Sequence, residues 1–142
     1  MAFHTQKTLR RELRMTSEAI EDAGVEMARV QGKRLMRPPW GRRRPATLRV
    51  LREEGYVPVL WSVTLWDWSK GVTTEKIMRK AEKQISGGDV ILLHDGCDVS
   101  MGWDRSHSVK ATELILTQWK QQEGYEFVTI PEMIEATGFV VP

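Results

Sequence analysis

Val90-Ile91-Leu92-Leu93-His94-Asp95-Gly96 is the stretch that decides the fold. It opens on an unbroken apolar run, Val90 to Leu93, with no polar residue in alternation. A short run of this kind suits a strand buried on both faces, as in a parallel sheet covered by helices. Gly87-Gly88 breaks the chain just before it, and Asp95-Gly96 turns it just after. His94 therefore stands at the carboxyl end of a buried strand. That is where parallel α/β folds place their chemistry.

The same grammar repeats outward. Upstream, Thr73 or Thr74 can cap a helix whose Ile77, Ala81 and Ile85 share one face. Tyr56 to Val63 is rich in β-formers and predicts another buried strand. Pro45 suits the first turn of a helix reaching Glu54, with Gly55 closing it. Lys33 to Met36 predicts a short strand leading into Arg37-Pro38-Pro39-Trp40-Gly41, where the prolines forbid regular structure. Leu9, Leu13, Thr16 and Ile20 recur at helical spacing and predict a helix from Thr8 to Ala23, ended by Gly24. Downstream, Ser106 or Ser108 opens a helix through Ala111, Leu114, Ile115 and Trp119, closed by Gly124. Glu126 to Ile130 predicts a last strand, and Pro131 a terminal helix.

The expected class is α/β, with about four parallel strands alternating with helices. So few strands cannot close a barrel. They form a small open sheet or part of a barrel whose other strands are absent. At 142 residues the chain is expected to be a single domain, 1–142, large enough for one core.

Composition narrows the function classes. Hydrophobic residues make up 41% and charged residues 28%, the balance of a globular domain. No apolar run approaches the roughly 20 residues of a membrane helix. Met1-Ala2-Phe3-His4-Thr5 turns polar at once and carries no secretory signal. The sequence as written is thus expected to be cytoplasmic, while a longer protein is compatible with secretion or the cell envelope. A net charge of +2 does not point to nucleic acid. Arg42-Arg43-Arg44, with Arg34 and Arg37 nearby, suits a solvated loop; a nucleic-acid patch would need interleaved aromatics or a reader motif. The single cysteine, Cys97, allows no internal disulfide, and one Cys with three His spells no zinc finger. Six tryptophans are many for this length; Trp serves cores and also sugar platforms.

Polar residues gather where strands end. Arg37 follows the first strand, Asp67 and Trp68 the second, His94 and Asp95 the third. On neighbouring strand ends they would converge on one mouth. His94 can exchange a proton near neutral pH, or simply cap a turn. Asp67 can orient the imidazole, or be a surface loop aspartate. Arg37 can fix a carboxylate bidentately, or form an ordinary ion pair.

These residues carry a resemblance. Arg37-Pro38-Pro39-Trp40-Gly41 resembles the Arg-Pro-Pro-Tyr/Phe-Gly motif of the NodB-type polysaccharide deacetylases. Trp61-Ser62-Val63 followed by Asp67-Trp68 resembles the family's Asp-x-x-Asp-Trp motif and its strand. Ile91-Leu92-Leu93-His94-Asp95 is similar to its Leu-Leu-His-Asp motif. Asp104 to Val109 followed by Ala111, and Gly124 to Thr129, also follow the family's wording, so the likeness runs from Leu9 to Ala136. It implies the C-terminal portion of a distorted (β/α) barrel, with the N-terminal strands absent. It further implies metal-assisted removal of acetyl groups from N-acetylated or O-acetylated sugars, with an acetylated poly- or oligosaccharide as substrate and a divalent metal, usually zinc, as cofactor. By that likeness His94 is the general acid, Asp67 tunes it, and Arg37 orders a catalytic aspartate. The backbone N–H at Trp40 helps hold the oxyanion, and Leu92 and Trp68 pocket the acetyl methyl.

The departures lie on the base-and-metal side. The family's Thr-Phe-Asp-Asp-Gly motif is absent. Of its His-Thr/Ser-x-x-His motif, His4-Thr5-Gln6-Lys7-Thr8 keeps only the first histidine, so His4 is the one candidate metal ligand. Thr64 stands at the first aspartate of Asp-x-x-Asp-Trp. The alternative is an inactive half-barrel that binds carbohydrate through Trp40, Trp66, Trp68 and Trp103, or binds partners. Missing barrel strands would leave open sheet edges, which predict a homodimer.

Overall fold

The computed structural model describes residues 5–96, 104–122 and 124–141. In chain order the elements are α1 (Gln6–Asp22), β1 (Arg29–Val30), β2 (Lys33–Met36), α2 (Pro45–Glu53), β3 (Tyr56–Pro58), β4 (Val63–Thr64), α3 (Thr74–Gln84), β5 (Ile91–Leu92), α4 (Ser106–Lys120) and α5 (Ile130–Thr137). A single 3-10 turn, Pro39–Gly41, follows β2. The chain divides into two compact units, residues 1–60 with 129–142, and residues 61–128.

The first unit is built on a mixed sheet, β1-β2-β3. β2 and β3 run parallel, with Arg34 opposite Tyr56 and Met36 opposite Pro58. β1 was not anticipated. It pairs antiparallel to β2 through a two-residue hairpin, Gln31-Gly32. Both turn residues are left-handed, at φ 50 and φ 79, which matches the twist of the strands they join. Gln-Gly is a weaker hairpin signal than Asn-Gly, and two strand residues leave no pattern to read.

α1 starts where Thr5 Oγ1 accepts the Thr8 N–H at 3.2 Å. Its inner face carries Leu13 and Ser17. Ser17 donates to the Leu13 carbonyl at 2.9 Å and accepts from the Tyr56 hydroxyl at 2.5 Å. Leu13, Val50, Leu51 and Tyr56 form this unit's core, with Val50 and Leu51 fully buried. Arg10 reaches from α1 to both Glu53 and Glu54 at the end of α2.

The expected strand from Tyr56 to Val63 is in fact two. Pro58 has no N–H and closes the β3 ladder. Val59 still donates to the Met36 carbonyl at 2.8 Å, but Ser62 and Val63 donate to Val90 instead, at 3.0 and 3.2 Å. The chain thus changes partners within a single stretch rich in β-formers.

The second unit carries the two-stranded parallel sheet β4-β5, with Val63 opposite Ile91 and Thr64 opposite Leu92. Only Ile91–Leu92 of the expected four-residue run forms a ladder. Val63, Leu65, Ile77, Ala81, Ala111, Ile115 and Trp119 form the core, which draws α3 and α4 together. Thr73 caps α3 by accepting the Lys76 N–H at 3.4 Å.

The expected strand from Glu126 to Ile130 does not form; residues 125–129 have no regular structure. Thr129 is committed to a capping box. Its N–H donates to Glu132 Oε2 at 2.6 Å, and its Oγ1 accepts the Glu132 N–H at 3.5 Å. Phe127 and Val128 remain exposed. Two small sheets therefore replace the single parallel row. No described helix is long and apolar enough to cross a membrane.

Candidate active site

Asp67 is the centre of the second unit's polar residues. It sits just past β4 and is fully buried, which excludes a surface loop position. A buried carboxylate is costly unless it is hydrogen-bonded and paired. Asp67 has both. Its Oδ2 accepts the His94 backbone N–H at 2.7 Å and the Ser108 hydroxyl at 3.0 Å. Its Oδ1 lies 2.9 Å from His94 Nδ1. An ionised carboxylate only accepts, so Nδ1 carries the proton in this pair. Its carbonyl accepts from Arg105 Nη1 at 3.3 Å and lies 3.0 Å from His107 Nε2.

The result fixes one imidazole from two sides. With Nδ1 committed to Asp67, Nε2 is the nitrogen that can exchange a proton. The His94 side chain is 36% exposed, so it reaches water while its partner does not. Trp68 meets it edge-on at 4.7 Å between ring centres. Leu92, two positions before His94, is buried in β5.

Further back, a second carboxylate holds the strands. Asp89 accepts the Ser62 hydroxyl at 2.6 Å and the Ser86 N–H at 2.7 Å. The Ser62 hydroxyl, chief among these donors, with Ser86, keeps the Asp89 carboxyl below the usual aspartate range. Ser62 Oγ in turn accepts the Val90 N–H at 3.0 Å.

Arg37 and Trp40 belong to the first unit. Arg37 follows β2 and is exposed, whereas Pro38 beside it is fully buried. Trp40 is 60% exposed and left-handed, at φ 54 and ψ 20. Its ring carries the Arg42 guanidinium at 5.5 Å. The turn's own hydrogen bonds come from the Gly41 and Arg42 N–H groups, at 2.9 and 3.3 Å, and not from Trp40. Left-handed backbone costs a bulky residue roughly 1–2 kcal/mol. Trp66 in the second unit shows the same conformation, φ 56, and is 48% exposed.

Asp67, Trp68 and His94 are thus brought together as the sequence suggested. Arg105 and His107 were assigned no role and Ser108 only that of a possible helix opener, yet all three reach Asp67; the residue at the N-cap of α4 is Arg105. One signal could have found Ser108. It lies in line with Ala111, Ile115 and Trp119, a hydroxyl on an otherwise apolar helix face.

A metal does not fit the described residues. Among them no group of three or more His, Cys, Asp or Glu could hold an ion. Asp67 spends its oxygens on hydrogen bonds, and Thr64 Oγ1 is buried with no hydrogen-bond partner among them. His4, the candidate ligand, lies outside the described residues.

No protein-family model matches the chain. A peptidoglycan-N-acetylglucosamine deacetylase from Bacillus cereus is 42% identical over 106 residues, which span 70% of this chain and 45% of that relative. The chain belongs to the NodB-type polysaccharide deacetylases. Solved structures agree on the fold. The Xyl-CE4 domain of a multidomain xylanase from the hindgut metagenome of Trinervitermes trinervoides matches with a TM-score of 0.77 at 23% identity, over 99% of this chain and 61% of that one. A CE4 family pseudoenzyme from Bacillus anthracis matches with a TM-score of 0.73 at 21% identity, over 92% of this chain and 41% of that one. The chain spans less than half the length of the Bacillus cereus relative.

Proposed function

We propose that this chain supplies the acid-and-pocket side of a deacetylase acting on N-acetylated or O-acetylated sugars of a polysaccharide. The observation that carries the reading is the buried Asp67 bound to both the ring and the backbone of His94. In this reading His94 Nε2 gives its proton to the leaving nitrogen or oxygen as the acetyl bond breaks. Asp67 stabilises the imidazolium that carries this proton, through the Nδ1–H, and holds its ring; after the transfer the imidazole is left neutral with its Nδ1 proton on Asp67. Trp68 and Leu92 enclose the acetyl methyl. To Arg37 and the backbone N–H of Trp40 the reading assigns the roles that the family resemblance implies, ordering a catalytic carboxylate and helping to hold the oxyanion.

Deacetylases of this family are metal-dependent in general. The base and the ligand set belong, in this reading, to residues outside those described, and His4 is the one ligand this chain would add. Acetate release from an acetylated chito-oligosaccharide, measured with zinc or cobalt on the full-length protein, tests the proposal. Turnover supports it. Absence of both metal binding and turnover sinks it.

A second reading is favoured by Thr64, which stands where the family carries an aspartate and whose buried hydroxyl has no hydrogen-bond partner among the described residues. It is a non-catalytic domain that keeps the pocket and binds glycan, as a pseudoenzyme would. Glycan binding without hydrolysis, lost in Trp68→Ala, supports it; unchanged binding in that variant removes it.

A further inference from the structure

A row of contacts leads away from His94 that the acetyl chemistry does not use. Trp68, edge-on to His94, lies 5.2 Å from Trp66 between ring centres. The Lys80 ammonium of α3 stands 5.6 Å from the centre of the Trp66 ring. Trp66 is half exposed and left-handed. Such a backbone is an outlier for a bulky residue, and core packing does not explain it when half the side chain is in water.

Lys80 also belongs to a charged face. Lys76, Lys80 and Lys83 recur one turn apart along α3. Lys76 is tied to the Gly71 carbonyl at 2.9 Å. Neither Lys80 nor Lys83 has an acidic residue three or four positions away on either side. Like charges one turn apart repel and weaken a helix. A helix that keeps them beside a half-exposed indole suits an anionic ligand with flat apolar faces.

We propose that Trp66 and Lys80 form an outer subsite for a carboxylate-bearing glycan, so that this site prefers an acidic polysaccharide to a neutral chitin-type chain. The inference rests on the deacetylase reading, because His94 fixes where the acetylated sugar sits. Trp66 stacks on the apolar face of an outlying sugar. Lys80 meets its carboxylate while keeping its cation on the indole ring. Lys83 extends the field along the polymer. Single-stranded nucleic acid also stacks and is anionic, but the row begins at a proton donor placed for hydrolysis.

The experiment compares two probes by titration calorimetry. One is peptidoglycan glycan strand stripped of its peptides, which exposes lactyl carboxylates; the other is the hexamer of N-acetylglucosamine. The wild type is expected to prefer the carboxylated strand by about tenfold at low salt, with the preference fading as salt screens it. Lys80→Met, which keeps the stem, is expected to bring the two affinities within about twofold of each other. Lys80→Glu is expected to reverse the order. Trp66→Ala is expected to weaken both.

An unchanged preference in Lys80→Met overturns the subsite. Equal binding of both strands by the wild type overturns the subsite and leaves the deacetylase reading standing. Binding of neither strand by the folded protein overturns both. An oligodeoxynucleotide that binds more tightly than the carboxylated strand, and loses that binding in Lys80→Met, reassigns the surface to nucleic acid and overturns the proposal.

Discussion

The first unit leaves Arg37 and Trp40 exposed; the second buries Asp67 completely and surrounds it with donors from His94, Ser108 and Arg105. The cores differ as well. Leu13, Val50, Leu51 and Tyr56 pack α1 and α2 against the mixed sheet, with no titratable carboxylate among them. In the second unit, Ser108 carries the apolar stripe of Ala111, Ile115 and Trp119 up to the carboxylate. The contrast separates two tasks. A group that must hold a proton in one direction is locked by burial and several hydrogen bonds. In the proposed reading, groups that meet a polymer, Arg37 and Trp40, are left in water.

Four measurements break or sharpen that contrast. The largest effect is expected from His94→Gln in the full-length protein. Deacetylation should fall by about 10²–10⁴, the usual worth of a general acid. Trp40→Phe should cost far less; an equal loss would erase the distinction between the two tasks. Next, Asp67→Ala should lower stability by about 1–3 kcal/mol in chemical denaturation, because buried donors of Ser108 and His94 lose their acceptor. A neutral result would mean that the carboxylate is not the anchor of the second unit.

Third, Trp40→Gly should raise stability by up to about 1 kcal/mol, since glycine adopts the left-handed turn without the steric cost. Glycan binding should weaken in the same variant. Destabilisation instead would show that Trp40 is held by packing. The smallest effect concerns acid. The folded-state pKa of Asp89 lies below its ordinary value of 3.8. Its contribution is therefore present above that value and lost as the pH falls below it, through the lowered folded value. Thermal melts across that window should show a smaller slope for Asp89→Asn than for the wild type.

Much of this was legible before any coordinates. Helical spacing gave α1 through Leu13, and α3 through Ile77 and Ala81, within a residue or two of their ends. Two strand ends in a parallel sheet offered the pairing of Asp67 with His94 as one of two alternatives, the other being a surface loop aspartate, which the burial of Asp67 excludes. Partner choice was not legible. Tyr56 to Val63 is one stretch rich in β-formers, and only the missing N–H of Pro58 hints that its halves pair with different strands. Glu126 to Ile130 has strand composition, but the reciprocal cap of Thr129 and Glu132 competes for the same backbone. Hydrogen bonds that reach across many residues, like Ser108 to Asp67, leave only a polar residue on an apolar face.

The bond between Ser62 and Asp89 has a consequence for how this sequence can drift. Asp67 lies five positions beyond Ser62, and His94 five positions beyond Asp89. The two segments work like the equal arms of tweezers joined at their pivot, with the carboxylate and the imidazole as the tips. Strand side chains alternate in direction, so losing or gaining one residue in either arm turns its tip away from the other. Insertions should be tolerated in many of this gene's loops, but a single-codon slip within 63–66 or 90–93 should part the tips while leaving the pivot closed.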